Sequence, residues 1–154
     1  MTPEKSLALL LHEYRDRARK ALDLFLHSAR KLPSFDTGKL SSPDALEPYD
    51  ALAGRFERSV EVVINPLLKA VEMLETGIVS ETIRDRLNFA CKLGLIEDVE
   101  LWMEMRAARN RIAHDYLPDK IKAVHDLLLS RYKTELERFM PRFETYLAKR
   151  GGPP

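Results

Sequence analysis

The chain has 154 residues, 45% of them apolar, with a formal net charge of +1 and a single cysteine, Cys91. This length suits one domain with its own core, and the apolar fraction excludes a chain that is disordered throughout. One cysteine excludes an intrachain disulfide and a cysteine-rich zinc site, and no apolar run approaches the ~20 residues of a membrane-spanning helix. The near-neutral charge argues against a broad nucleic-acid-binding surface. We therefore expect a cytoplasmic protein in which any RNA contact comes from a local basic patch.

The first half of the chain predicts two long helices. The first is predicted from Pro3 to Lys31, where apolar residues recur at helical spacing and a proline follows the last turn. A connection rich in turn-forming residues covers 33–46, and the sequence assigns it no role. The second helix is predicted from Tyr49 to Glu75. A kink or break is expected near Asn65, because Pro66 lacks a backbone N–H.

The second half predicts three more helices. A short one is expected from Glu81 to Leu93, with Ser80 as its N-cap. The next is expected from Glu97 to Tyr116, and the last from Pro118 to Ala148. The sequence thus predicts an all-α fold, an up-and-down bundle of about five helices.

The bundle is predicted to form one domain over residues 1–150, with a disordered tail at 151–154. No glycine-rich phosphate loop is present, which argues against an ATPase or a nucleotidyltransferase within this chain. His12, His27 and His125 lack the spacing of metal ligands, so we expect no metal site and no cofactor.

The end of the fourth predicted helix carries the residues of greatest chemical interest. Arg109, His114 and Tyr116 fall within eight residues, and the polar Asn110 directly follows the arginine. The arginine fork matches phosphate oxygens, and histidine transfers protons near neutral pH, so the pair suits phosphodiester chemistry without a metal. Residues five apart differ by roughly 140° around a helix. Arg109 and His114 therefore converge only if the helix ends or bends here, or if a second subunit supplies the other half.

A local basic patch accompanies these residues. From Arg106 to Lys122, five basic and two acidic residues give a local charge of +3. Arg106 and Arg111 are therefore candidates for binding RNA phosphates. A basic helix end also complements the helix dipole, so a purely structural role explains the same pattern.

The run Arg-x-x-x-x-His-x-Tyr, with a polar residue after the arginine, resembles the signature of HEPN-domain proteins of the HepT toxin type. The resemblance is best over Arg84 to Tyr116 and is structural only outside it. It implies a helical bundle that acts as a metal-independent endoribonuclease. It also implies a homodimer, with two motifs facing each other, and a partner that is an MNT-type nucleotidyltransferase antitoxin. Arg109 and His114 are then the catalytic pair, Asn110 a supporting residue and Tyr116 a site of AMPylation.

Two classes of function follow from this resemblance. In a ribonuclease toxin, the ribose 2′-OH attacks the adjacent phosphorus, Arg109 stabilises the charge on the phosphate oxygens, and His114 transfers a proton. One histidine does not easily serve as base and acid in one step, which favours a site shared by two subunits. The alternative is a non-catalytic helical partner, the substrate-binding subunit of a small nucleotidyltransferase. Arg109 and His114 are then binding or structural residues.

Overall fold

A computed structural model describes residues 2–38, 42–114 and 118–150, apart from the side chains of Asn110, Ala113 and His114. The described residues form helices joined by short connections, and no strand occurs among them. The helices are α1 (Pro3–Lys31), α2 (Pro43–Val62), α3 (Lys69–Thr76), α4 (Ile83–Lys92), α5 (Val99–His114), α6 (Pro118–Leu128) and α7 (Arg131–Lys149). The predicted all-α fold is confirmed, and α1 has the predicted bounds. The predicted tail lies outside the described residues.

Helix α2 begins six residues before its predicted start at Tyr49. The Ser42 side chain accepts a hydrogen bond from the Ala45 backbone N–H at 3.3 Å, and Pro43 takes the first helical position, where no backbone donor is needed. Pro48 lies inside the helix without ending it. The prediction that the connection extends to residue 46 is therefore wrong, because Ser42 starts the helix before Pro48 is reached.

The predicted break near Asn65 is confirmed. A wide π-helical turn, Val63–Leu68, separates α2 from α3, and Asn65 leaves the helical region with φ −138° and ψ 122°. The Asn65–Pro66 peptide bond is cis. Arg86 of α4 donates to the Ile64 carbonyl oxygen at 3.2 Å and to the Asn65 side-chain oxygen. The Ile64 carbonyl oxygen beside the break is thus paired by a neighbouring helix.

The predicted N-cap of the third helix is wrong. Thr82 caps α4, because its hydroxyl accepts a hydrogen bond from the Asp85 backbone N–H at 3.1 Å. Ser80 instead donates from its backbone N–H, at 3.0 Å, and from its hydroxyl to the Glu72 carboxylate. The Ser80 side chain therefore binds the buried Glu72 carboxylate and does not cap α4.

The helix predicted from Pro118 to Ala148 is divided into α6 and α7. Ser130 lies between them with φ −127° and ψ −94°, outside the helical region. Its hydroxyl donates to the Asp126 carbonyl oxygen at 2.6 Å, a local bond that competes with the helical backbone pattern. Its own carbonyl oxygen accepts from the Thr134 backbone N–H at 3.0 Å, which begins α7.

Helix α2 lies at the centre of the bundle and packs against α1, α5 and α6, while α7 packs against α1 and α6. Large aromatic side chains fill the space between these helices. They include Phe25, Phe56, Trp102, Tyr132, Phe139 and Phe143, all fully buried. Over the described ranges, no helix is both long and apolar enough to cross a bilayer.

Candidate functional site

Helix α5 carries the predicted motif and is anchored by its first half. The Asp98 side chain accepts a hydrogen bond from the Leu101 backbone N–H at 3.1 Å. Trp102 is fully buried, packs edge-on against Phe139 and donates from its indole N–H to the Glu135 carboxylate at 2.9 Å. These contacts fix the direction in which α5 runs toward the motif.

Arg109 forms an ion pair within the chain. Its Nη1 donates to Oε2 of Glu61, on α2, at 2.5 Å, and the two side chains are 41% and 50% exposed. An ion pair this exposed contributes only about 0–1 kcal/mol, so a phosphate can compete for the guanidinium. Glu61 is 48 positions away along the chain. No local pattern in the sequence indicates that it meets Arg109.

The other motif residues are placed only in part. Helix α5 continues through 109–114, so the chain does not bend between Arg109 and His114. The side chains of Asn110 and His114, and all of Tyr116, lie outside the described residues. Convergence of Arg109 with His114 stays a prediction.

The two candidate phosphate-binding arginines do not lie side by side. Arg106 and Arg111 are both exposed. They are five positions apart on α5 and so differ by roughly 140° around its axis. Arg106 shares a face with Arg109, three positions later. Arg111 turns to another side, where it lines a cavity.

The cavity has a volume of about 280 Å³ and lies between α2, the second half of α5, and α6. Most of its lining is aromatic or aliphatic, with Arg111, Lys120 and Asp50 as charged members. The uncharged lining residues are Phe35, Leu46, Tyr49, Ala53, Ile112, Ile121, Val124 and His125. The sequence reasoning did not find this site, because its residues come from distant parts of the chain.

Three aromatic rings form one wall of the cavity. Phe35 and His125 stack with centroids 4.8 Å apart, and Tyr49 meets both rings edge-on, at 5.1 and 5.7 Å. The Tyr49 hydroxyl donates to the Pro33 carbonyl oxygen at 2.7 Å, and Lys122 Nζ donates to the Phe35 carbonyl oxygen at 3.1 Å. The connection after α1 thus has a role that the sequence left open. The signal that the sequence offers for this role is Phe35, an aromatic residue within a segment of turn-forming residues.

A polar cluster lies beside the motif on α5. Glu104 accepts hydrogen bonds from the Tyr132 hydroxyl at 2.7 Å and from Arg131 at 3.1 Å. Burial, followed by the hydrogen bond to Glu104, raises the pKa of Tyr132 to about 12, while the charges of Arg111 and Arg131 act in the opposite direction. Tyr132 is therefore an uncharged phenol near neutral pH, and Arg111 carries its charge close to it.

Two further arginines do not extend the basic patch. Arg84 pairs with Glu100 at the surface, and Arg86 pairs with Glu72 in the interior at 2.6 Å. Within the described part of the chain, no group of three or more histidine, cysteine, aspartate or glutamate side chains is arranged to hold a metal ion.

Comparison with known proteins places the chain in a family. The profile of the family described as "Nucleotidyltransferase substrate binding protein like" matches residues 15–145, a span from α1 into α7 that includes the motif and the cavity. No curated protein matches the chain. The matched family is a HEPN-like helical family, in agreement with the bundle. The chain belongs to the nucleotidyltransferase substrate-binding-like family.

Proposed function

We propose that this chain is the substrate-binding subunit of a small nucleotidyltransferase and has no catalytic activity of its own. The observation that carries the proposal is the family match over residues 15–145. The matched span contains α2, α5 and α6, which enclose the cavity of about 280 Å³. In this arrangement the partner transfers the nucleotidyl group, and this chain holds the molecule that receives it.

The state of Arg109 supports a binding role. Its guanidinium is held by the Glu61 carboxylate at 2.5 Å, which lowers the positive potential that an RNA phosphate would meet. A catalytic arginine works best when it is directed at the charge that develops in the transition state. Arg109 is directed at the half-exposed carboxylate of Glu61 instead.

Complex formation tests the proposal. Co-expression with the small nucleotidyltransferase encoded nearest to this chain is expected to give a stable complex on size-exclusion chromatography. Transfer from a labelled nucleoside triphosphate to a cell extract of small molecules is expected to need both chains. Separate elution at micromolar concentrations, together with transfer that is unchanged without this chain, would contradict the proposal.

A second candidate is the HepT-type endoribonuclease, acting as a homodimer with an MNT-type antitoxin. The observation that favours it is the exposure of Arg106 and the partial exposure of Arg109 on α5. Because α5 is unbroken over 109–114, a second subunit would have to supply the His114 that meets Arg109. Arg109, Asn110 and His114 would then be the catalytic residues. Arg106 and Arg111 would bind RNA phosphates, and Tyr116 would be the site of AMPylation.

RNA cleavage in excess EDTA separates the two candidates. The substrate-binding function predicts no cleavage by the purified chain. A ribonuclease would leave 2′,3′-cyclic phosphate ends and lose at least ~100-fold of its rate in His114→Ala, the scale for loss of a general acid or base. Glu61→Gln would raise that rate, because it frees Arg109. Arg138→Gln, which removes a charge at an exposed position of α7, is the control and should leave the cleavage rate unchanged.

A further inference from the structure

The cavity between α2, α5 and α6 combines aromatic walls, two cations and a buried polar atom without a partner. We propose that it binds a small aromatic anion that carries an N–H or O–H donor. Naming that ligand as the substrate rests on the function proposed above. The binding itself is a property of this chain alone.

His125 supplies the first step of the argument. It is 7% exposed, and its Nδ1 lies 2.9 Å from the Ile121 carbonyl oxygen. A carbonyl oxygen only accepts, so Nδ1 must be the donor, and in the neutral ring Nε2 carries the lone pair. Nε2 is buried and has no hydrogen-bond partner among the described residues. Buried polar atoms are nearly always paired, and His125 lines the cavity, so a ligand with an N–H or O–H group would supply the missing donor.

The charged lining indicates the sign of the ligand. Arg111 and Lys120 are both exposed at the cavity, and neither forms an ion pair or a hydrogen bond with the described residues. Asp50 is the one acid among the described lining residues, which leaves an excess of one positive charge. Two uncommitted cations favour a phosphate or a carboxylate, and Asp50 can accept a hydroxyl of the same ligand.

The shape and size of the cavity indicate the rest of the ligand. The stacked rings of Phe35 and His125, with Tyr49 edge-on, offer the flat surfaces and edges against which a planar ring packs well. An engineered cavity of about 150 Å³ holds one benzene. The volume of about 280 Å³ found here therefore accommodates one substituted ring or one bicyclic base, and not two stacked bases.

Isothermal titration of the purified chain with four probes tests the proposal. Adenosine monophosphate and 4-hydroxybenzoate are both aromatic anions with a donor group, and they distinguish a nucleotide from a non-nucleotide ligand. Adenosine supplies the ring and the donor without the anion, and inorganic phosphate supplies the anion without the ring. At least one aromatic anion is expected to bind ~10-fold or more tightly than either half, because charge-assisted bonds and ring packing then act together.

Three substitutions assign the binding to the cavity. His125→Phe keeps the stacked ring and removes Nε2, and Arg111→Gln and Lys120→Gln each remove one cation. Each is expected to weaken binding roughly 10-fold. His125→Phe removes the unpartnered Nε2 together with the local bond from Nδ1 to the Ile121 carbonyl oxygen, and it keeps the buried ring. It is therefore expected to fold, and its thermal melting verifies this.

Matched controls change the same residue types outside the cavity lining. Arg138→Gln and Lys69→Gln change exposed cations away from the cavity and are expected to leave binding unchanged. Ala53→Leu adds bulk inside the cavity and should weaken binding, whereas Ala51→Leu adds the same bulk at an exposed position of α2 and should not.

The proposal is overturned if neither aromatic anion binds, if inorganic phosphate binds as tightly, or if folded His125→Phe binds as well as the parent. None of these results depends on a nucleotidyltransferase partner, so failure here is distinct from failure to form the complex.

Discussion

Replacing Glu72 with glutamine is expected to lower the free energy of unfolding by about 3–5 kcal/mol, the usual effect of removing one partner from a buried ion pair. Glu72 and Arg86 are 4% and 6% exposed, and their side chains meet at 2.6 Å. Without the carboxylate, the Arg86 charge stays buried and uncompensated. Urea denaturation followed by circular dichroism measures the change.

Two further variants test whether the loss of stability comes from the burial of the ion pair. Glu100→Gln removes an acid that pairs with Arg84 at the surface, and we expect it to change stability very little. Joint replacement of Glu72 and Arg86 with methionine is expected to recover part of the loss, because no charge then stays unpaired in the interior. Equal effects of Glu72→Gln and Glu100→Gln would show that burial of the pair is unimportant.

Replacing Trp102 with alanine is expected to cost about 3–5 kcal/mol, because it leaves a large cavity in the core. Trp102 is fully buried, and its indole N–H donates to Glu135, which also accepts from Arg142 at 2.7 Å. Trp102→Phe separates the two effects, since it keeps most of the volume and loses the hydrogen bond to a charged acceptor, worth about 1.5–3 kcal/mol.

Arg106→Ala is the matched control for Trp102, because it lies on the same helix at an exposed position. We expect its stability to equal that of the parent within about 0.5 kcal/mol. Since the phenylalanine ring can keep the packing against Phe139, Trp102→Phe is also expected to preserve ligand binding at the cavity. Lost binding in a folded Trp102→Phe protein would show that the hydrogen bond to Glu135 positions the motif helix.

The elements that the sequence predicted well are those decided by local chemistry. The bounds of α1 follow from a threonine and a proline at its start, and the break at Asn65 follows from Pro66. The predicted start of α2 at Tyr49 is six residues late, because Ser42 caps the helix and Pro43 occupies its first position. No proline or glycine near Ser130 indicates that the helix divides there into α6 and α7. A side-chain hydroxyl that bonds to the backbone produces this division instead.

The candidate site was predictable only where it lies within one helix. The spacing of Arg109 and His114 is visible in the sequence, whereas the ion pair of Arg109 with Glu61 depends on how α2 packs against α5. The cavity depends on still more distant parts, because Phe35 and His125 become neighbours only in the folded chain. Contacts of this kind leave no periodic pattern for sequence reasoning to use.

The connection after α1 is anchored through its backbone, and this affects how the cavity that it lines can change. Its two anchors are the Tyr49 hydroxyl on the Pro33 carbonyl oxygen and Lys122 Nζ on the Phe35 carbonyl oxygen. Both acceptors belong to the backbone, which every residue type supplies. The anchors therefore do not depend on the side chain at position 35, whereas the buried Phe35 ring packs against Tyr49 and His125 and forms part of the cavity wall. Exchange of Phe35 for another large apolar residue would change the shape of the cavity while the backbone of the connection stays anchored.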